Sequence, residues 1–157
     1  MSIDSELLSG LPPEELNKGL ADWRWLVGEG SQPILLTLSG DLFLENDAGA
    51  VVWLETGGGE LEVVAASTEE FWLALEVPEN RREWLLENVV RDLLAEGHRP
   101  GAHECFGYKI LPVFGGSYDG ANRVSMSATE HISLTGHVHQ QIRDLPDGAT
   151  VQFDVFD

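Results

Sequence analysis

The chain has little of several things. A single cysteine, Cys105, in 157 residues leaves no internal disulfide. Lys and Arg together number nine against 27 Asp and Glu, a formal net charge of −18. A chain this acidic repels phosphate backbones, which argues against direct nucleic-acid binding. No apolar run approaches the ~20 residues that cross a bilayer, so no membrane partner is expected. The opening Met-Ser-Ile-Asp-Ser-Glu has no basic stretch followed by an apolar one and does not read as a secretory signal. With the lone cysteine, this makes the cytoplasm the expected compartment.

Motifs that carry chemistry are equally sparse. Gly115-Gly116-Ser117 lacks the Lys-Ser/Thr of a phosphate-binding loop, and no helical pattern starts directly behind it. G-x-G-x-x-G, G-x-S-x-G, H-E-x-x-H and an EF-hand loop are absent. His103 and Glu104 precede Cys105, but thiol catalysis needs spatial geometry that adjacency does not supply. A cysteine beside Phe106 reads as a small core residue. His137 and His139 would share a face on a strand and could then hold a metal ion. On a helix they stand about 200° apart and cannot. The surrounding periodicity is helical, so neither a metal nor another cofactor is expected.

What is present is a clear alternation of elements. Pro12-Pro13-Glu14-Glu15 reads as a helix start, followed by Leu16, Leu20, Trp23 and Val27 on one face and by Gly28 as a stop. Trp25 lies off that face and is a candidate interface anchor. Ile34–Ser39, Leu42–Glu45, Val51–Thr56 and Leu61–Ala66 are strand-like and separated by short Gly/Asn/Asp turns. Thr68 reads as the N-cap of a short helix, and one longer helix is expected from Glu79 to Glu96. Arg123–Ala128 reads as a short strand. A helix follows from about Thr129, with Leu134, Val138, Ile142 and Leu145 on its apolar arc and His131 as a hydrogen-bonded core histidine. Thr150–Val155 alternates as a last strand.

The expected fold is therefore α+β: an antiparallel β-meander of about four strands plus a returning C-terminal strand, packed with three to four helices. One domain is expected over 1-157. It would comprise an N-terminal helix in 1-30, the meander in 34-66, helices in 68-96, and a block at 105-155 holding the Gly-Gly-Ser turn, a helix and the last strand.

Charge is unevenly spread. Between Arg24 and Arg81 there is no Lys or Arg, yet eleven acidic residues occur: Glu29, Asp41, Glu45, Asp47, Glu55, Glu60, Glu62, Glu69, Glu70, Glu76 and Glu79. Such a stretch either keeps the protein soluble or attracts a basic partner.

The run Cys105-Phe-Gly-Tyr-Lys-Ile-Leu-Pro-Val-Phe-Gly-Gly-Ser-Tyr-Asp119, then Glu130-His131 and His139-Gln-Gln-Ile-Arg-Asp-Leu-Pro, resembles the C-terminal domain of immunity proteins that protect bacteria from type VI secretion DNase effectors. Upstream, Gly40-Asp-Leu-Phe-Leu44, Val52-Trp-Leu54 and Gly59-Glu-Leu61 are similar to the glycine-aspartate-rich meander of GAD-like and SUKH immunity domains. The likeness spans roughly residues 38 to 155. It implies a non-enzymatic protein that blocks a basic toxin, such as a nuclease, by stoichiometric binding. Glu45, Asp47, Glu60 and Glu62 on the turns and outward positions of the meander are the expected contacts, with Tyr118 and Asp119 as a second patch. Gly107, Tyr108, Pro112, Gly115, Gly116 and His131 are expected to be structural. A general protein-interaction domain, or a metal enzyme using His137 and His139, is the competing reading.

Overall fold

The computed structural model of the chain describes residues 5–146. The expected strand Thr150–Val155 lies outside the described residues.

The N-terminal apolar face is as expected: Leu16, Leu20, Trp23 and Val27 are all buried. The helix that carries them is not continuous. It comprises α1 (Pro13–Leu20), a 3-10 turn (Ala21–Trp23) and the four-residue α2 (Arg24–Val27), which Gly28 ends in a left-handed conformation.

Four antiparallel strands follow in sequential order: β1 (Gln32–Leu36), β2 (Leu42–Glu45), β3 (Val51–Glu55) and β4 (Glu60–Ala65). Their turns use the expected chemistry. Asn46 accepts backbone bonds from Ala48 and Ala50, each at 3.0 Å, closing the β2–β3 turn. The meander is covered on both sides. Phe43 meets Phe71, Trp84 and Trp53 with ring centroids 5.0, 5.8 and 6.1 Å away. Leu42, Leu44, Val52 and Leu54 pack instead against Leu16, Leu20, Trp23 and Ile132. This explains why Leu42-Phe43-Leu44 reads as an unbroken apolar run rather than an alternation. Outward positions for carboxylates remain only at the hairpin ends and along β4.

One cover is formed by α3 (Thr68–Leu75), α4 (Pro78–Trp84) and α5 (Glu87–Ala95). Ser67, not Thr68, caps α3 by accepting from the Glu70 N–H at 3.2 Å. The single helix expected from Glu79 to Glu96 is two helices. Leu86 sits at φ 48° and ψ 47°, the one non-glycine residue with positive φ among the described residues. On one straight helix Leu85 and Val90 would point about 140° apart. The break lets both face the core, where they are 0 % and 1 % exposed.

The chain then forms β5 (Glu104–Tyr108), which pairs antiparallel with β6 (Arg123–Ser127) in a separate two-stranded sheet. The Phe106 N–H donates to the Leu38 carbonyl at 2.7 Å, tying this ribbon to the β1–β2 turn. Ser127 caps α6 (Ala128–Ile142) by accepting from the Glu130 N–H. The buried face of α6 differs from the apolar arc. Leu134 and Leu145 are 39 % and 45 % exposed, while Ala128, His131, Ile132, Thr135, Gly136, Val138 and His139 are buried. The helix crosses the N-terminal segment closely: a Cβ on Gly136 would stand 2.6 Å from the Asp22 carbonyl oxygen. Small and hydrogen-bonded side chains, rather than leucines, permit that approach. Among the described residues no helix is long and apolar enough to cross a membrane.

Candidate partner-binding surface

A buried polar network underlies the surface. Asp41 is 2 % exposed and accepts from the Thr56 N–H and hydroxyl at 3.0 and 3.1 Å. Burial pushes its carboxyl up to about 7, with the Glu55 charge adding to the effect and Arg123 opposing it. Arg123, 5 % exposed, lies 3.9 Å from the Tyr108 ring centroid and donates to the carbonyls of Ser39, Phe106 and Tyr118. His131 Nε2 lies 3.0 Å from the Thr56 hydroxyl and 3.1 Å from the Gly40 carbonyl. Burial holds that imidazole down at about 4, so it is neutral. His139 Nε2 meets the Thr56 carbonyl at 3.0 Å. Gly40 needs its lack of a side chain, because it has φ 93° and a Cβ there would stand 2.5 Å from His131 Nε2. Gly107 is likewise crowded by Met126 and His131. Most of the residues expected to be structural thus meet here or border it, although Gly40, Tyr108 and His131 are far apart in sequence.

Above the network runs the loop between β5 and β6. Pro112 opens a 3-10 turn ending at Phe114, and Gly115 follows at φ 93°. Gly116 packs against the Ile110 carbonyl so closely that no side chain fits. The Asn122 side chain fastens both ends, accepting from the Ile110 N–H at 3.0 Å and donating to the carbonyls of Ile110 and Ser117, both at 2.7 Å. The Gly-Gly-Ser segment is therefore a held bend. What the bend displays is apolar: Ile110, Val113 and Phe114 are 57 %, 39 % and 43 % exposed. None of the three was singled out from the sequence. Four exposed large apolar positions, including Tyr118, within nine residues were the available signal, masked because apolar residues are counted as core by default.

The loop borders the β3–β4 hairpin. Tyr118 donates to Glu55 Oε2 at 3.1 Å, and a Cβ on Gly57 would come within 2.9 Å of both the Pro112 ring and the Tyr108 hydroxyl. Beside it, Trp53, Glu55, Glu60, Leu61 and Glu62 line a cleft of about 370 Å³. Register places Trp53 opposite Glu62 and Glu55 opposite Glu60, so these four side chains share one face. Burial raises the Glu55 carboxyl above the usual range, although the Gly58 N–H and the Tyr118 hydroxyl counteract this.

The six expected contact residues do not form one site. Glu60 and Glu62 line the cleft, and Tyr118 reaches it through Glu55. Glu45 pairs with Val51 at the opposite end of β3, about 13 Å away along the strand. Asp47 sits in the β2–β3 turn against Gly30. Asp119 precedes a 3-10 turn and borders a different cleft, with Asp92 of α5 and Glu96 just beyond it. Trp25 is half-buried, stacked on Trp23 at 5.8 Å, which weakens its candidacy as an anchor. His137 and His139 both lie on α6, where their spacing of two turns them apart; His139 is committed to Thr56, and His137 contacts Gln141. No group of three metal-ligating side chains occurs among the described residues. The Cys105 thiol is 0 % exposed and burial pushes it up to about 12, so it is no nucleophile at neutral pH.

Residues 65–139 match the family model described as T6SS immunity protein Tdi1, C-terminal. Over that segment the chain is similar to a T6SS immunity domain. It contains α3 to α5, the β5–β6 ribbon with its loop, and α6 as far as His139. The meander upstream of Ala65, included in the sequence resemblance, falls outside the match. No curated protein matches the chain. The matched segment therefore supplies the apolar loop, while the carboxylate cleft lies on the adjoining hairpin.

Proposed function

We propose that this chain neutralises a type VI secretion effector in the cytoplasm by binding it stoichiometrically and covering its working surface, without turnover. The match of residues 65–139 to a T6SS immunity domain carries the reading. The charge distribution gives it chemical content. A nuclease that grips phosphate is basic where it does so, and a chain of net charge −18 is complementary to such a surface. The carboxylates between Arg24 and Arg81 other than the buried Asp41, with no basic residue among them, supply the field that steers the encounter. The chain itself is not expected to touch nucleic acid.

Co-expression with a type VI effector, sought first among the neighbouring genes, is the test. Growth should be restored, the two proteins should co-purify in equal amounts, and association should slow as salt rises through the physiological range. The absence of both protection and co-purification sinks the reading and leaves a general interaction domain.

A further inference from the structure

Two observations meet on one side of the molecule. The β5–β6 loop holds Ile110, Val113 and Phe114 out of the core on a bend fastened by Asn122. Next to it, Glu55, Glu60 and Glu62 crowd one cleft against the Trp53 indole. Glu55 and Glu60 are direct cross-strand partners, a like-charge pairing that costs stability. Among the described residues no Lys, Arg or His forms an ion pair with any of the three carboxylates. The Tyr118–Glu55 hydrogen bond joins the apolar and acidic halves.

We infer that the loop and the hairpin form a single docking surface for a segment of the effector that places one Arg or Lys in the carboxylate cleft and apolar side chains on the loop. This rests on the immunity reading above and adds the site. A cation in the cleft relieves the Glu55–Glu60 repulsion and stacks on an indole. The flanking apolar contact removes Ile110, Val113 and Phe114 from water, which gives the contact a desolvated centre. A second copy of this chain is a poor occupant, since it would set carboxylate against carboxylate at net charge −18 per copy. The chain's own Arg123 is committed below the loop to three backbone carbonyls.

The test uses the full chain and a catalytically inactive form of the effector identified by co-expression, with affinity measured at low and physiological salt. Two double variants probe the halves: Val113→Asp with Phe114→Ser, and the near-isosteric Glu60→Gln with Glu62→Gln. Glu83→Gln, exposed on α4, is the control. Each double variant should weaken binding about tenfold or more, with an unchanged melting curve. The glutamine pair should also flatten the salt dependence, and Glu83→Gln should bind like the parent. If the parent binds and both double variants bind equally well, the surface is elsewhere and the inference falls while the immunity reading stands. If the parent self-associates and the Val113/Phe114 variant is monomeric, the loop is a homodimer contact and the inference also falls. A parent that neither binds nor protects removes both.

Discussion

Tyr108 and Ile110 are two residues apart and live in different worlds. Tyr108 is 8 % exposed beneath an arginine, whereas Ile110 is 57 % exposed. The same contrast holds across the whole region. Below the loop, Asp41, His131 and His139 are joined by hydrogen bonds through Thr56, and Arg123 beside them holds three carbonyls; above it, apolar and acidic side chains face outward. The run that makes the sequence recognisable, Cys105 to Asp119, crosses both layers: Cys105 to Tyr108 are buried, while Ile110, Val113, Phe114 and Tyr118 face outward. One stretch therefore holds the fold below and displays side chains above. Burial, and not resemblance, tells the two apart.

Disturbing the lower layer should have the largest effect on stability. Arg123→Met removes the cation near Asp41 and the donors to three carbonyls, so unfolding in denaturant should shift by about 3–5 kcal/mol. A loss below 1 kcal/mol would mean that the network is ornamental.

The network should also leave a pH signature. Asp41 has its carboxyl pushed from 3.8 to about 7, so the folded state holds that proton more tightly than the unfolded state does. Its contribution is fully present below about pH 4 and is lost as pH rises to about 7. His131, held down at about 4, contributes in the opposite sense: its stabilisation is present above 6.5 and is lost as pH falls toward 4. The two oppose each other over the shared window. Relative to Asp41→Asn, the parent should therefore lose on the order of 3 kcal/mol between pH 4 and pH 7. Paired denaturant titrations at several pH values measure this, and a flat or reversed difference would contradict it.

At the boundary between the layers, the two glycines of the bend should separate. Gly116→Val drives a side chain into the Ile110 carbonyl and should cost about 3 kcal/mol. Gly115→Val meets open space and suffers only its φ of 93°, a cost of about 1–2 kcal/mol. Thermal melts that rank them the other way would overturn the account of the bend. The smallest stability effect belongs to the top layer. Ile110→Ser should change stability by less than about 0.5 kcal/mol, because its side chain is already more than half in water. Calorimetry showing a larger loss would place Ile110 in the lower layer and blur the contrast.

Much of this fold was legible beforehand. The β2, β3 and β4 runs fall within a residue of their expected bounds, and the buried face of the segment from α1 to α2 is made of the four apolar residues that the spacing picked out. What escaped was whatever depends on distant partners. His131 is the buried, hydrogen-bonded histidine that the spacing picked out, but the polar stripe of Thr135 and His139 beside it is invisible to a count of apolar spacing. The break at Leu86 is invisible for a related reason: its left-handed backbone has no local signal and serves the orientation of Leu85 and Val90. Of the expected contacts, Glu60, Glu62 and Tyr118 come together because register and a loop closure bring them together. Glu45 and Asp47 do not, because a strand separates its two ends.

The break at Leu86 also bears on the order of folding. Helices of seven and nine residues, α4 and α5, are too short to persist in water on their own. They can form only as the aromatic side of the meander gives them something to condense on. These helices of the matched segment are therefore templated by strands that precede them in the chain, and a nascent chain leaving the ribosome has that template in hand before the first residue of α4 emerges.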